Sequence, residues 1–139
     1  MATVIRPEIS EKNKYYIDKH RYYELKHFCL QYDEWKKAHA SCCETLLFAS
    51  RFERLSPGDM PSDLTAKYAI RSAQYAERIE MIERTTKDAD DFLAPYILKA
   101  VTEGLSYTYL KARLNIPCGR DLYYDRYRRF FWLLSEARG

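Results

Sequence analysis

Glycine and proline are scarce in this chain, at four and five of 139 residues. An all-β protein needs many turns and draws on both residue types for them, so the shortage points to helices. Long apolar runs are missing as well. No stretch approaches the roughly 20 apolar residues that a membrane-crossing helix requires, and the mean hydropathy is −0.56. Residues 1–14 carry charge and lack the apolar centre of a secretory signal. The expectation is a cytoplasmic protein with no membrane partner.

Cysteine is present but unpatterned. Cys29, Cys42, Cys43 and Cys118 form no CxxC pair, and without an export signal a disulfide framework is not expected. His27, Cys29, His39 and Cys42 could be gathered into a zinc site on paper, yet their spacing fits no closed four-ligand pattern. Packed thiols and no metal are the expectation. Catalytic signatures are also lacking: no P-loop, paired-glycine fingerprint, HExxH or nucleophile elbow occurs. The three histidines, His20, His27 and His39, stand beside basic or aromatic neighbours, where structural or surface roles are the ordinary case. The reading is therefore not an enzyme, with no catalytic residue and no cofactor.

What the chain does have is helical periodicity. Apolar residues make up 47% of it, enough for a sizeable core, and 13 are tyrosines. Residues 1–17 read as an irregular arm. After Asp18, a candidate N-cap, Tyr22, Leu25, Phe28, Cys29 and Tyr32 recur at three- and four-residue steps. A second stripe follows through Trp35, Ala38, Cys42, Thr45 or Leu46, Ala49 and Phe52. The two stripes fit one bent helix or two helices jointed near Asp33. Residues 55–63, with Pro57, Gly58 and Pro61, are the clearest break. Asp63 or Ser62 then caps a charged amphipathic helix. Its inner face is expected at Ala66, Ile70, Ala73, Ile79 and Ile82, with Tyr68 and Tyr75 flanking. A narrow small-residue stripe of this kind suits a helix of the same chain or of a second copy, so a homodimer through residues 63–87 is one expectation.

Three short helices are predicted after Asp91. Pro95 is tolerated in a first turn, which starts the first near Asp91 to Ala94, and Gly104 ends it. Ser106 caps the second, which runs to Leu114 with Tyr107, Leu110 and Leu114 inward. Asn115 to Gly119 is the next break, with Ile116 as its single core plug. The last helix begins near Arg120 and reaches about Glu136. The predicted fold is all-α: residues 1–62 as arm and helical region, residues 63–90 as connecting helix, residues 91–139 as a helix-turn-helix unit.

Charge is distributed unevenly. Residues 1–104 hold 16 basic and 17 acidic side chains. Residues 105–139 hold Lys111, Arg113, Arg120, Arg126, Arg128, Arg129 and Arg138 against Asp121, Asp125 and Glu136, a net of +4. A local basic surface is the footprint of a polyanion-binding module. Laid out at 100° per residue, the last helix places Tyr123, Tyr127, Phe130, Phe131 and Leu134 inward. Asp121, Tyr124, Asp125, Arg128 and Arg129 fall on or near the opposite side, with Arg120 at the leading end. Arginine reads guanine bidentately and aspartate accepts from cytosine. Lys111, Arg113 and Arg126 are expected on phosphates.

The segments Gly104-Leu-Ser-Tyr-Thr-Tyr-Leu-Lys-Ala-Arg-Leu-Asn-Ile-Pro117 and Tyr123-Tyr-Asp-Arg-Tyr-Arg-Arg-Phe-Phe-Trp-Leu-Leu134 resemble the C-terminal region of phage and prophage late-gene transcriptional regulators of the RinA/ArpU type. That region is in turn similar to the fourth region of sigma factors. The resemblance covers about 30 of 139 residues, and Tyr15 to Lys26 is similar to prophage-encoded proteins. It implies a double-stranded DNA partner, host RNA polymerase as a further partner, and action in a bacterial cell. Two other functions fit the same pattern: a small-terminase-like packaging or assembly component, and a helical interaction module that binds no DNA.

Overall fold

The computed structural model describes residues 13–53 and 63–139, without the side chains of Phe52 and Glu53. The described residues form six helices and no strand. They are α1 (Lys19–Leu30), α2 (Tyr32–Glu53), α3 (Asp63–Ala89), α4 (Ala94–Glu103), α5 (Tyr107–Leu114) and α6 (Arg120–Arg138). The all-α expectation holds. Among these residues no helix is long and apolar enough to cross a membrane. The sequence break at residues 55–63 and the arm before Asn13 lie outside the described residues, apart from Asp63.

The chain divides into two units, one built from residues 1–31 with 81–139 and the other from residues 32–80. The first stripe of the sequence packs as its period requires: Tyr22, Leu25, Phe28, Cys29 and Tyr32 are all buried. The joint between the stripes falls at Gln31, in two helices, not one bent one. Asp18 stands at the N-cap position of α1, without a side-chain capping bond.

In the second unit α2 runs antiparallel to the first part of α3. The Arg78 guanidinium lies 5.5 Å from the Trp35 ring centroid, and the Cys43 thiol lies 3.7 Å from the Ser72 hydroxyl. Trp35 and Cys42 are buried, while Thr45 faces solvent. The inner face of α3 agrees with the expectation in part. Ile79 is half-buried and Ile82 fully buried, but Ala66, Ile70 and Ala73 are exposed, with Ile70 at 59%, and Thr65, Tyr68, Ser72 and Tyr75 are half-buried instead. Both sets have helical spacing. The tyrosine set has more apolar area to remove from water, and that decides which one turns inward.

In the first unit the punctuation residues act as expected. Pro95 sits in the first turn of α4, and Gly104 ends α4 in the left-handed conformation, φ 71°. Ser106 accepts the Tyr109 amide at 3.2 Å, and Asn115 closes α5 at φ 50°. Ile116 is fully buried beneath the turn. Tyr123, Phe130, Phe131 and Leu134 of α6 are at most 2% exposed. Their partner is α1: the Tyr22 ring meets Phe131 at 5.0 Å, and the Arg138 guanidinium lies 3.8 Å from the Phe28 centroid. Phe92 departs from its stripe and is 71% exposed, because the turn before α4 points it outward.

Two substitutions test this core. Phe130→Ala should cost about 3–5 kcal/mol, as a buried aromatic truncation leaves a cavity. Ser106→Ala should cost about 1 kcal/mol, the typical loss of an N-cap. Urea unfolding followed by circular dichroism reads both. Equal, small losses would contradict the packing described.

Candidate nucleic-acid interface

α5 and α6 are joined by one turn whose geometry is fixed from both sides. The Tyr107 hydroxyl donates to the Cys118 carbonyl at 2.8 Å, and its ring lies 5.5 Å from that of Tyr123. The Ile116 amide donates to the Leu110 carbonyl, and the Lys111 ammonium donates to the Ile116 carbonyl at 3.3 Å. These bonds hold the start of α6 against α5.

The expected contact residues fall into three environments. Arg113, Arg120, Asp121 and Lys111 are exposed. Arg120 leans over Tyr107, 5.3 Å from the ring centroid. Arg128 and Arg129 are half-buried on α6, with no ion pair among the described residues. The Arg128 Nε is buried without a hydrogen-bond partner. Tyr124, Asp125 and Arg126 are drawn into internal interactions. The Tyr124 ring joins those of Tyr123 and Tyr127, at 5.1 and 6.3 Å. Arg126 donates through Nε to Asp90 at 3.0 Å and through a terminal nitrogen to Asp125 at 2.8 Å.

Sequence reasoning did not single out Asp90. One of its carboxylate oxygens accepts the amides of Phe92 and Leu93, both at 3.0 Å, and the other holds Arg126. It therefore ties the turn before α4 to α6. Arg21 was also missed. It donates to the Ser135 hydroxyl and carbonyl, each at 3.1 Å. Trp132 shares the outer part of α6 and lies 6.0 Å from the Tyr15 ring. The signal for all three is a long-range contact, which one-dimensional spacing does not carry.

The buried face of α6 is rich in phenols. The Tyr22 and Tyr127 hydroxyls are hydrogen-bonded at 2.9 Å. Burial is the main cause that pushes the phenols of Tyr22, Tyr123 and Tyr127 above their ordinary value of 10.0. Burial likewise pushes the Cys29 thiol up to about 12, partly countered by the Arg138 guanidinium. Among the described residues no group of three or more metal-ligating side chains occurs. His39 has the Cys43 sulfur 3.7 Å from its Nε2.

Comparison of the chain with protein-family models, with curated proteins and with solved structures finds no match in any of the three.

The raised phenols set a pH dependence. In the unfolded chain they ionise near pH 10.0, while in the fold they keep their protons to higher pH. Above pH 10 the folded state binds more protons than the unfolded state, so stability falls as pH rises. Thermal melts between pH 8 and 11 should show this loss begin near pH 10. The double variant Tyr22→Phe, Tyr127→Phe removes both hydroxyls and keeps the rings, so its loss over that range should be smaller. An identical pH profile would contradict the assignment.

Proposed function

We propose that this chain is a phage-derived transcriptional regulator that binds double-stranded DNA through α5 and α6 as a helix-turn-helix. The observation that carries this reading is the set of cations on α5 and α6, Lys111, Arg113, Arg120, Arg128 and Arg129, that make no ion pair among the described residues. A guanidinium or ammonium without an acidic partner is open to an anionic acceptor from outside. Phosphate oxygens and the guanine edge are acceptors of the right geometry. The short α5, the turn plugged by Ile116 and the longer α6 are the parts that a helix-turn-helix needs, which supports this reading. In this reading Arg120, Asp121, Arg128 and Arg129 face the groove, while Tyr124 and Asp125, expected there from helical phase, are held in internal contacts. Lys111 and Arg113 contact phosphates, and Arg126 acts mainly by fixing α6 to Asp90. The resemblance to late-gene regulators supports host RNA polymerase as a further partner, in the cytoplasm of the bacterial host.

The exposed Ala66, Ile70 and Ala73 on α3 favour a second copy of the chain as partner through residues 63–87. They also favour the packaging reading, in which many copies assemble. Light scattering separates the two: a dimer fits a regulator, and a ring of eight or more fits packaging.

DNA binding is tested by anisotropy with a labelled duplex at 50 and 200 mM salt. With three to five phosphates neutralised per chain, affinity should fall about 40- to 500-fold over that range. The double variant Arg128→Ala, Arg129→Ala should weaken binding and lower the salt slope by about 2, with the melt nearly unchanged. No binding at 50 mM salt would overturn the proposal and leave an interaction module. A collapsed melt in the double variant would make those arginines structural.

A further inference from the structure

A cleft of about 210 Å³ opens in the first unit between α1, the α4–α5 turn and α6. Its walls are aromatic, with Tyr22, Tyr107, Tyr123, Tyr124 and Tyr127 all lining it. Leu30 and Val101 add apolar surface, and no acidic side chain takes part. Lys26 is the one charged group in the lining. It is half-buried and makes no ion pair among the described residues. A second polar group is also unanswered. Tyr123 is 1% exposed, and its hydroxyl, with no hydrogen bond among the described residues, keeps access to the cleft. A cation and a phenol donor that both open on one cleft offer an anionic acceptor two contacts.

We propose that this cleft binds a small aromatic carboxylate. The ring lies among the tyrosines, where offset and edge contacts favour a flat partner. The carboxylate takes the Lys26 ammonium and the Tyr123 hydroxyl, which suits an anionic acceptor. Size limits the ligand. Drug-sized molecules fill clefts of about 300–1,000 Å³, so 210 Å³ suits one or two rings. The absence of acids in the lining disfavours amines. The Tyr123 phenol, like any phenol with an ordinary value near 10.0, is protonated at neutral pH and able to donate. None of this depends on nucleic acid, so the cleft stands or falls apart from the DNA reading.

Calorimetric titration of the full chain with indole-3-acetate is the test. Indole-3-ethanol serves as the neutral probe, and cyclohexylacetate as the acid without an aromatic ring. Indole-3-acetate should bind; cyclohexylacetate should bind about threefold or more weaker, the scale of an aromatic pair, and indole-3-ethanol about tenfold or more weaker, the scale of a hydrogen bond to a charged group. Lys26→Met should cost a similar factor, Lys26→Arg should recover most of it, and Tyr123→Phe should weaken binding while keeping the ring. Ligand-induced shifts of the tyrosine ring signals should localise the site. The proposal is overturned if indole-3-acetate fails to bind at millimolar concentration. It is also overturned if the neutral probe binds equally, or if Lys26→Met and Tyr123→Phe both leave affinity unchanged.

Discussion

The edge-type contact between the rings of Phe131 and Tyr22 joins two helices that stand over one hundred residues apart in sequence. The first unit depends on that contact. α6 has its apolar stripe at Tyr123, Tyr127, Phe130, Phe131 and Leu134, and α4 with α5 does not cover all of it. α1 supplies the remaining wall through Tyr22, with Phe28 beneath the Arg138 guanidinium. A three-helix unit cut at residue 91 would leave this side of α6 in water, at about 25 cal/mol for each Å² of apolar surface uncovered. The arm enters the same arrangement: Ile17 is buried, and Tyr15 stands by Trp132.

Because α1 holds one side of α6, the orientation of the rest of α6 is set. The Tyr22–Tyr127 hydroxyl pair and the Arg21–Ser135 bonds fix its rotation. Asp90 fixes its position against the turn before α4. Arg128 and Arg129 then lie where they do because the neighbouring positions are occupied by core. The rotation also shapes the tyrosine-walled cleft, since Tyr123, Tyr124 and Tyr127 line it from α6 while Lys26 approaches from α1.

Local signals in the sequence were legible to the residue. Gly104 and Asn115 take the left-handed conformation their positions demanded, Ser106 caps α5, and Ile116 plugs the turn. Each of these is decided by neighbours within a few positions. The periods of α1 and α6 were equally clear, since their large aromatic residues leave one choice of inner face. α3 was not, because its alanine and tyrosine sets both recur at helical spacing, and the larger rings won the interior. Least legible were the pairings across the fold. Nothing in the spacing of Asp90 and Arg126, or of Arg21 and Ser135, announces that they meet. The site residues came from charge and helical phase. Charge and helical phase put Arg128 and Arg129 on one helix but carry no information on which of their neighbours are already bound.

Those internal pairings alter the electrostatics that composition suggests. Counted by residue, Asp121 and Asp125 dilute a basic helix while Arg126 reinforces it. In the fold Arg126 lies between Asp90 and Asp125, so its charge is committed to a cluster with two carboxylates. Asp125 is correspondingly screened by a guanidinium 2.8 Å away. Among the described residues, Lys111, Arg113, Arg120, Arg128 and Arg129 make no ion pair. The positive charge of this part of the chain therefore rests on five side chains of α5 and α6. The helix that fills the core is then the same helix that presents the charge, and a change in its rotation would disturb both.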